Sequence, residues 1–165
     1  MAHSGTADVQ PVGRKSGGII IRAMEIDDLH EVFVMGGDMF RHYNEFRYYG
    51  RWNEENLASL FAEYPEFALA AVRKKQLLGF VLGGLIQGAD APDAGYILWS
   101  GVKDRGKFHG ILEALLEALF TVMRDRGLKT IFCRVEHGDS MVERWCHEHG
   151  FSSVEQHDVK KWVDA

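Results

Sequence analysis

A basic, glycine-bearing turn stands between an apolar segment and a long amphipathic pattern. Tyr96 to Val102 is typical of a strand, the turn contains Arg105, Lys107 and Gly110, and a helix pattern follows. The first N–H groups of a helix lack partners within it, and the helix dipole places about half a positive charge at that end. A bound diphosphate would satisfy both, and a glycine permits close backbone approach. The turn therefore indicates an anion site, although it also fits an ordinary tight turn with solvated cations.

The helix after this turn has the clearest periodicity in the chain. Apolar residues recur at a spacing of 3.6 between Ile111 and Met123, and Gly127 stands where a helix-ending glycine is common. Capping residues predict three further helices. These are expected from Asp27 or Asp28 to the Gly36–Gly37 pair, from Asn53 to Pro65, and from Ser140 to Gly150.

Apolar and β-branched runs predict the strands. They cover 19–22, 67–72, 77–86, 96–102 and 130–135, with a pair of short strands within 152–163. The polar run from Arg73 to Gln76 has the length of a hairpin connection. Helices at fixed places along a mixed, mostly antiparallel sheet predict an α/β (α+β) sandwich with about four helices, rather than a bundle or a doubly wound fold.

Length and composition favour one globular domain. The chain has 165 residues, 46% of them apolar, and we expect residues 1–18 to be a disordered leader and 19–165 a single domain. The net charge of −5 disfavours a nucleic-acid or membrane partner. Cys133 and Cys146 are too few for a disulfide framework, so we expect a cytoplasmic protein.

Residues 95–151 resemble the core of the GNAT (N-acetyltransferase) superfamily, and looser similarity extends over residues 19 to 163. The family signature, Arg/Gln-x-x-Gly-x-Gly/Ala, opens the helix that binds the diphosphate of acetyl-CoA. It aligns without gaps on Lys107 to Leu112, in a register set by Val102 before it and the Leu115–Leu116 pair after it. A second register, on Arg105 to Gly110, deletes two residues after Val102 and loses the leucine pair. The resemblance implies cofactor contacts from Gly101, Val102, Lys107, Phe108, His109, Gly110, Ile111 and Leu112.

The sequence departs from the signature at two of these positions. Lys107 keeps a cation but lacks the planar guanidinium fork of the usual arginine. Leu112 replaces a glycine or alanine, so its branched side chain must point away from the phosphates or crowd them.

The resemblance also nominates groups for proton transfer. Many family members carry a tyrosine that protonates the departing CoA thiolate, and Cys146 holds that position here. Its thiol is either this acid or a buried structural cysteine. The candidate bases are Glu25, Tyr96 and His109, of which Tyr96 also fits the core and His109 also fits a surface or cofactor contact.

The resemblance implies an acyl-CoA-dependent N-acyltransferase, in which an amine attacks the thioester of acetyl-CoA or another acyl-CoA directly, without a metal. The alternative is a catalytically weakened GNAT-like domain that senses CoA or binds a protein, which Leu112 and Cys146 motivate. The acceptor is a small-molecule amine or an amine of a peptide or protein, and the resemblance is compatible with a homodimer. The aromatic stretch from Phe40 to Trp52 either lines the acceptor pocket or packs under a loop. His147, Glu148 and His149 have the wrong spacing for a zinc site on a helix.

Overall fold

The structure is a computed structural model that describes residues 18–40, 52–87, 92–104, 107, 110–135, 140–154 and 158–162. Except for Gly18, the predicted leader lies outside these residues. Seven strands form one sheet in the order β1-β2-β3-β4-β5-β7-β6, and only the β4–β5 pair is parallel. The strands are β1 Ile20–Ala23, β2 Ala68–Arg73, β3 Gln76–Ile86, β4 Ala94–Val102, β5 Thr130–Arg134, β6 Ser152–Val154 and β7 Asp158–Trp162.

Four α-helices occur within the described ranges, so the predicted mixed, mostly antiparallel fold with four helices is confirmed. They are α1 Leu29–Phe40, α2 Glu54–Glu63, α3 Ile111–Asp125 and α4 Ser140–Glu148, with 3₁₀ turns at Ile26–Asp28 and Pro65–Phe67. One predicted boundary was wrong, because α1 continues through Gly36 and Gly37 instead of ending there. Tertiary packing at Gly36, described below, outweighs the weak helix propensity of the pair.

The two faces of the sheet are covered by different helices. A Cβ atom added at Gly79 would lie 3.2 Å from Leu115, so this position of β3 faces α3. A Cβ atom added at Gly101 of β4 would instead meet Met39, so that position faces α1. Because strand side chains alternate between faces, these glycines fix the orientation of their neighbours.

The helices of the described part are too short or too polar to cross a bilayer. The longest of them, α3, has 15 residues.

Candidate functional site

The ladder between the parallel strands β4 and β5 ends before either strand does. Their ladder joins Gly95–Ile97 to Ile131–Cys133 and stops there, whereas β4 continues to Val102. On the other side of β4, Leu82 is opposite Trp99 and Gly83 is opposite Ile97, which makes Leu98 an extra, bulged residue. A bulge bends a strand and increases its twist. Among the described residues, the edge of β4 from Leu98 to Val102 therefore has no strand partner on the β5 side, and the space beside this unpaired edge is called the opening below.

The backbone of this edge points polar groups into the opening. The Lys103 N–H donates to the Leu78 carbonyl at 2.8 Å, so the backbone groups of Lys103 face β3. In an antiparallel ladder alternate residues do the same, so Gly101 also faces β3 while Ser100 and Val102 face the opposite way. The amides of Ser100 and Val102 are therefore directed into the opening beside β5.

The side chains on this segment of β4 sort between the two faces. Val102 Cγ2 lies 3.2 Å from a Cβ atom built on Gly79, on the α3 face, whereas Gly101 faces α1. Ser100, two residues before Val102, shares the α3 face.

The start of α3 offers free backbone amides. Gly110 precedes the helix with φ 78° and ψ −4°, and the Ala114 N–H donates to its carbonyl at 3.0 Å. The N–H groups of residues 111–113 precede that first intrahelical bond and thus have no partner within the helix. Among the described residues, nothing lies within 4 Å of a Cβ atom built on Gly110, and the positive φ favours glycine there. Because α3 follows the carboxyl end of β4, its start belongs to the same end of the sheet as the opening.

The unusual Leu112 does not cover these amides. Its side chain is 2% exposed and belongs to the main hydrophobic core, as does that of Ile111. Lys107 is exposed, and its N–H donates to Asp104 Oδ1 at 2.9 Å, which fixes the turn before the helix. Phe108 and His109 lie outside the described residues.

Of the four residues predicted for proton transfer, His109 lies outside the described residues, and the other three occupy different surroundings. Cys146 of α4 is a free thiol, 1% exposed in the core. Tyr96 lies on β4 where β5 is still paired, is 6% exposed, and its ring centroid is 6.3 Å from that of Phe132. Glu25 is exposed and follows β1, which is three strand spacings from β4, or about 14 Å.

An ion pair holds the backbone beside Glu25. Asp28 accepts hydrogen bonds from both terminal nitrogens of Arg22, at 2.6 and 3.0 Å, and from the Glu25 N–H at 2.7 Å. Burial disfavours the charge of Asp28, but the hydrogen bonds from Arg22 and Glu25 outweigh it, so the pKa of Asp28 lies below its usual value. The pKa of Arg22 is raised, chiefly by the same hydrogen bond.

An aromatic cluster covers the α1 face of β4. The Trp52 indole N–H donates to the Phe33 carbonyl at 3.0 Å, and its ring occupies the place where a side chain on Gly36 would begin. The ring centroid of Trp52 lies 5.6 Å from that of Phe80 and 5.2 Å from that of Trp99. Of the aromatic stretch named above, Phe40 and Trp52 belong to this cluster, and Tyr43, Phe46, Tyr48 and Tyr49 lie outside the described residues.

His147 in the last turn of α4 and His149 just after the helix do not converge on a shared ligand position. The His149 ring stacks on Trp145, with centroids 4.4 Å apart, and its Nδ1 lies 2.8 Å from the Trp145 carbonyl. Among the described residues, no three His, Cys, Asp or Glu side chains come together as metal ligands would. His137, the histidine that precedes them in the sequence, lies outside the described residues.

The unpaired edge of β4 and the start of α3 lie at the same end of the sheet, and both present backbone N–H groups that have no partner within their own helix or ladder. The sequence matches the model of the Acetyltransferase (GNAT) family over residues 37–151, and the chain belongs to this family.

Several solved structures share the fold at low sequence identity. A chain of the NatC complex bound to Gag peptide and CoA has 16% identity and a TM-score of 0.69, and the match covers 88% of this chain and 99% of that one. Ribosomal-protein-alanine N-acetyltransferase from Brucella melitensis has 16% identity and a TM-score of 0.67, with 87% and 99% covered. The putative acetyltransferase yncA from Salmonella typhimurium, with acetyl-CoA, has 16% identity and a TM-score of 0.67, with 89% and 95% covered. No curated protein matches the sequence.

Proposed function

We propose that the chain is an acyl-CoA-dependent N-acyltransferase with acetyl-CoA as its donor substrate. The observation that carries this proposal is the continuity between two features. The opening beside β4 receives the amides of Ser100 and Val102, and the uncapped start of α3 lies at the same end of the sheet. A CoA thioester has a matching pair of features, a diphosphate and an amide-containing arm. The match to the family model does not by itself place the edge of β4 and the start of α3 at the same end of the sheet, whereas the structure does.

For the diphosphate we propose the amides of residues 111–113 as the principal contacts. Gly110 leaves the helix start open, and Leu112 is buried away from it. Lys107 contributes a cation, and Phe108 and His109 complete the predicted set of contacts. Backbone amides at a helix start suit a dianion because the dipole and the free N–H groups act together.

For the acyl group we propose that the amides of Ser100 and Val102 polarise the thioester carbonyl. The amine nitrogen attacks the carbonyl carbon, a C–N bond forms, and the C–S bond breaks with its electron pair on sulfur. The nitrogen loses one proton and the thiolate gains one, so the products are an amide and free CoA. Fixed amides stabilise the oxyanion that develops during the attack.

Proton transfer is proposed for Tyr96, Cys146 and Glu25, with water as the relay between a residue and the amine or thiolate. Of these, Tyr96 is on β4 itself, one residue before its last pairing with β5. Separate substitutions, Tyr96→Phe, Cys146→Ala and Glu25→Gln, rank the three by the loss of kcat that each causes.

The acceptor is proposed to be a primary amine, and peptide N-termini are the first to test. One structural neighbour is bound to a peptide and another is a ribosomal-protein-alanine N-acetyltransferase. The cluster around Trp52 and Met39 covers the face of β4 opposite α3, so we propose it as the apolar wall of the acceptor pocket. The two free, buried thiols of the protein, Cys133 and Cys146, also fit a reducing cytoplasm.

The test combines binding with turnover. Thermal-shift measurements with CoA and acetyl-CoA are followed by mass-spectrometric detection of acetylated product across short peptides and small amines. Stabilisation together with amine-dependent product supports the enzyme. Stabilisation without product from any acceptor supports the alternative, a CoA-sensing or protein-binding module. The absence of any shift contradicts both the enzyme and the CoA sensor. Gly110→Asp, which places a carboxylate at the start of α3, should abolish the shift, whereas Gly37→Ala should leave it intact.

A further inference from the structure

The segment of β4 that borders the opening contains a single hydroxyl group. Its five residues are Leu98, Trp99, Ser100, Gly101 and Val102, and Ser100 is the one that is half-buried rather than buried. Its backbone N–H is directed to the β5 side and its side chain stands on the face of the sheet that α3 covers.

The Ser100 hydroxyl has no hydrogen-bond partner within the described part of the chain. Its neighbours on that face, Val81 opposite it and Val102 along the strand, are apolar and cannot accept a hydrogen bond from it. A serine hydroxyl can donate one hydrogen bond and accept two. This group is therefore available to a ligand at the edge of the opening.

We propose that Ser100 is a catalytic residue whose hydroxyl donates a hydrogen bond to the sulfur of the thioester as the C–S bond breaks. This inference rests on the proposed function. The same residue then presents two donors to one reacting carbon, because its N–H faces the carbonyl oxygen and its O–H faces the sulfur bonded to that carbon. The C–N bond forms and the C–S bond breaks as described above. The hydroxyl keeps its own proton and stabilises the thiolate until a proton that originates from the amine reaches it.

Ser100 lies beside the opening, whereas the residue at the sequence position of the usual acid does not. Cys146, at that position, is 1% exposed and surrounded by core residues, whereas Ser100 borders the opening. A hydrogen bond to a developing charge is stronger than one between neutral groups, so its loss should appear in the chemical step. Binding of CoA itself should change little, because the free thiol does not carry that charge.

The experiment compares Ser100→Ala, Ser100→Cys and Ser100→Thr with wild type and with a matched control, Ser152→Ala on β6. Acetyl-CoA and the best amine from the acceptor panel give kcat and KM, and calorimetry gives the Kd of CoA. Ala and Cys should lower kcat by roughly 10- to 100-fold, as expected for losing a hydrogen bond to a charged group, with the Kd of CoA nearly unchanged. Thr retains the hydroxyl and should keep most of the activity. Cys has nearly the volume of serine, so it separates the loss of the hydroxyl from any effect of the smaller alanine on the strand.

Each outcome decides the matter. Wild-type turnover that persists in Ser100→Ala within about twofold overturns the role of Ser100 and leaves the acyltransferase intact. Equal losses of CoA affinity and kcat in all three variants, Thr included, assign Ser100 a structural role and also overturn it. A wild-type chain that binds CoA but acetylates no amine overturns the proposed function, and this role with it.

Discussion

Adding one methyl group to each of two neighbouring glycines in α1 should have opposite effects on stability. Gly36 and Gly37 lie in the interior of the same helix. A Cβ atom on Gly37 would meet nothing within 4 Å, whereas on Gly36 it would fall into the Trp52 ring, whose Cη2 would be only 2.6 Å away. Gly37→Ala should therefore stabilise the protein by up to about 1 kcal/mol, the usual difference between glycine and alanine in a helix.

Gly36→Ala gains the same helix propensity but must displace Trp52. That ring is held by the hydrogen bond to the Phe33 carbonyl and by contacts with Phe80 and Trp99. Overpacking costs about 1–3 kcal/mol and a lost hydrogen bond about 1 kcal/mol, so we expect a net destabilisation of about 1–3 kcal/mol. The two variants should differ in Tm by roughly 5–15 °C for a chain of this size.

Thermal unfolding followed by circular dichroism measures this difference, and tryptophan fluorescence reports whether the indole has moved. Equal stability of Gly36→Ala and Gly37→Ala would contradict this packing of Trp52 against Gly36. In that event Trp52 would not occupy the face of α1, and the proposed wall of the acceptor pocket would lose its anchor.

Three further predictions concern the start of α3 and the pair beside β1. Leu112→Ala should lower the free energy of unfolding, measured by chemical denaturation, by about 2–5 kcal/mol because a buried leucine side chain is lost. The Kd of CoA should stay close to wild type. A large loss of CoA affinity without a loss of stability would contradict the buried position. Lys107→Ala should weaken CoA binding in calorimetry at low salt, and the difference from wild type should shrink at high salt as the charges are screened, whereas a salt-independent difference would exclude an electrostatic role. Asp28→Asn should lower the free energy of unfolding at neutral pH, and its difference from wild type should shrink as the pH falls. The pKa of Asp28 is lower in the folded state than in the unfolded state. The stabilisation by its carboxylate is therefore present above pH about 3.9, the unfolded pKa, and is lost as the pH falls through the folded pKa. A gap that stays constant as the pH falls from neutral to acid would show that the carboxylate charge is not the cause.

The features that local sequence specifies were the ones that could be predicted. The leucine repeat of α3, the turn before it and the position of Gly110 depend on residues within one segment, and the structure places that segment as a strand, a turn and a helix. The hairpin of β2 and β3 follows for the same reason, since its two apolar runs are joined by a short polar connection.

The features that depend on distant partners could not be predicted in this way. The extension of α1 past Gly36 depends on Trp52, which is sixteen positions away in the chain and fills the space that glycine leaves. The bulge at Leu98 has no signal in residue type, because leucine also fits a regular strand, yet it precedes the opening beside β4. Ser100 was missed for this reason: a lone serine in an apolar strand becomes informative only once the opening is known. The insertion of β7 between β5 and β6 likewise depends on sheet pairing rather than on local pattern.

The proposed function requires that the start of α3 binds a diphosphate while the opening beside β4 receives the arm of the thioester. Calorimetric titration of the full chain with acetyl-CoA and, separately, with S-acetyl-pantetheine, which has the arm but lacks the diphosphate, tests both halves of that claim. We predict saturable binding of acetyl-CoA and an affinity for S-acetyl-pantetheine that is lower by at least tenfold, or about 1.4 kcal/mol. Equal affinities, or no heat with acetyl-CoA, would contradict the account.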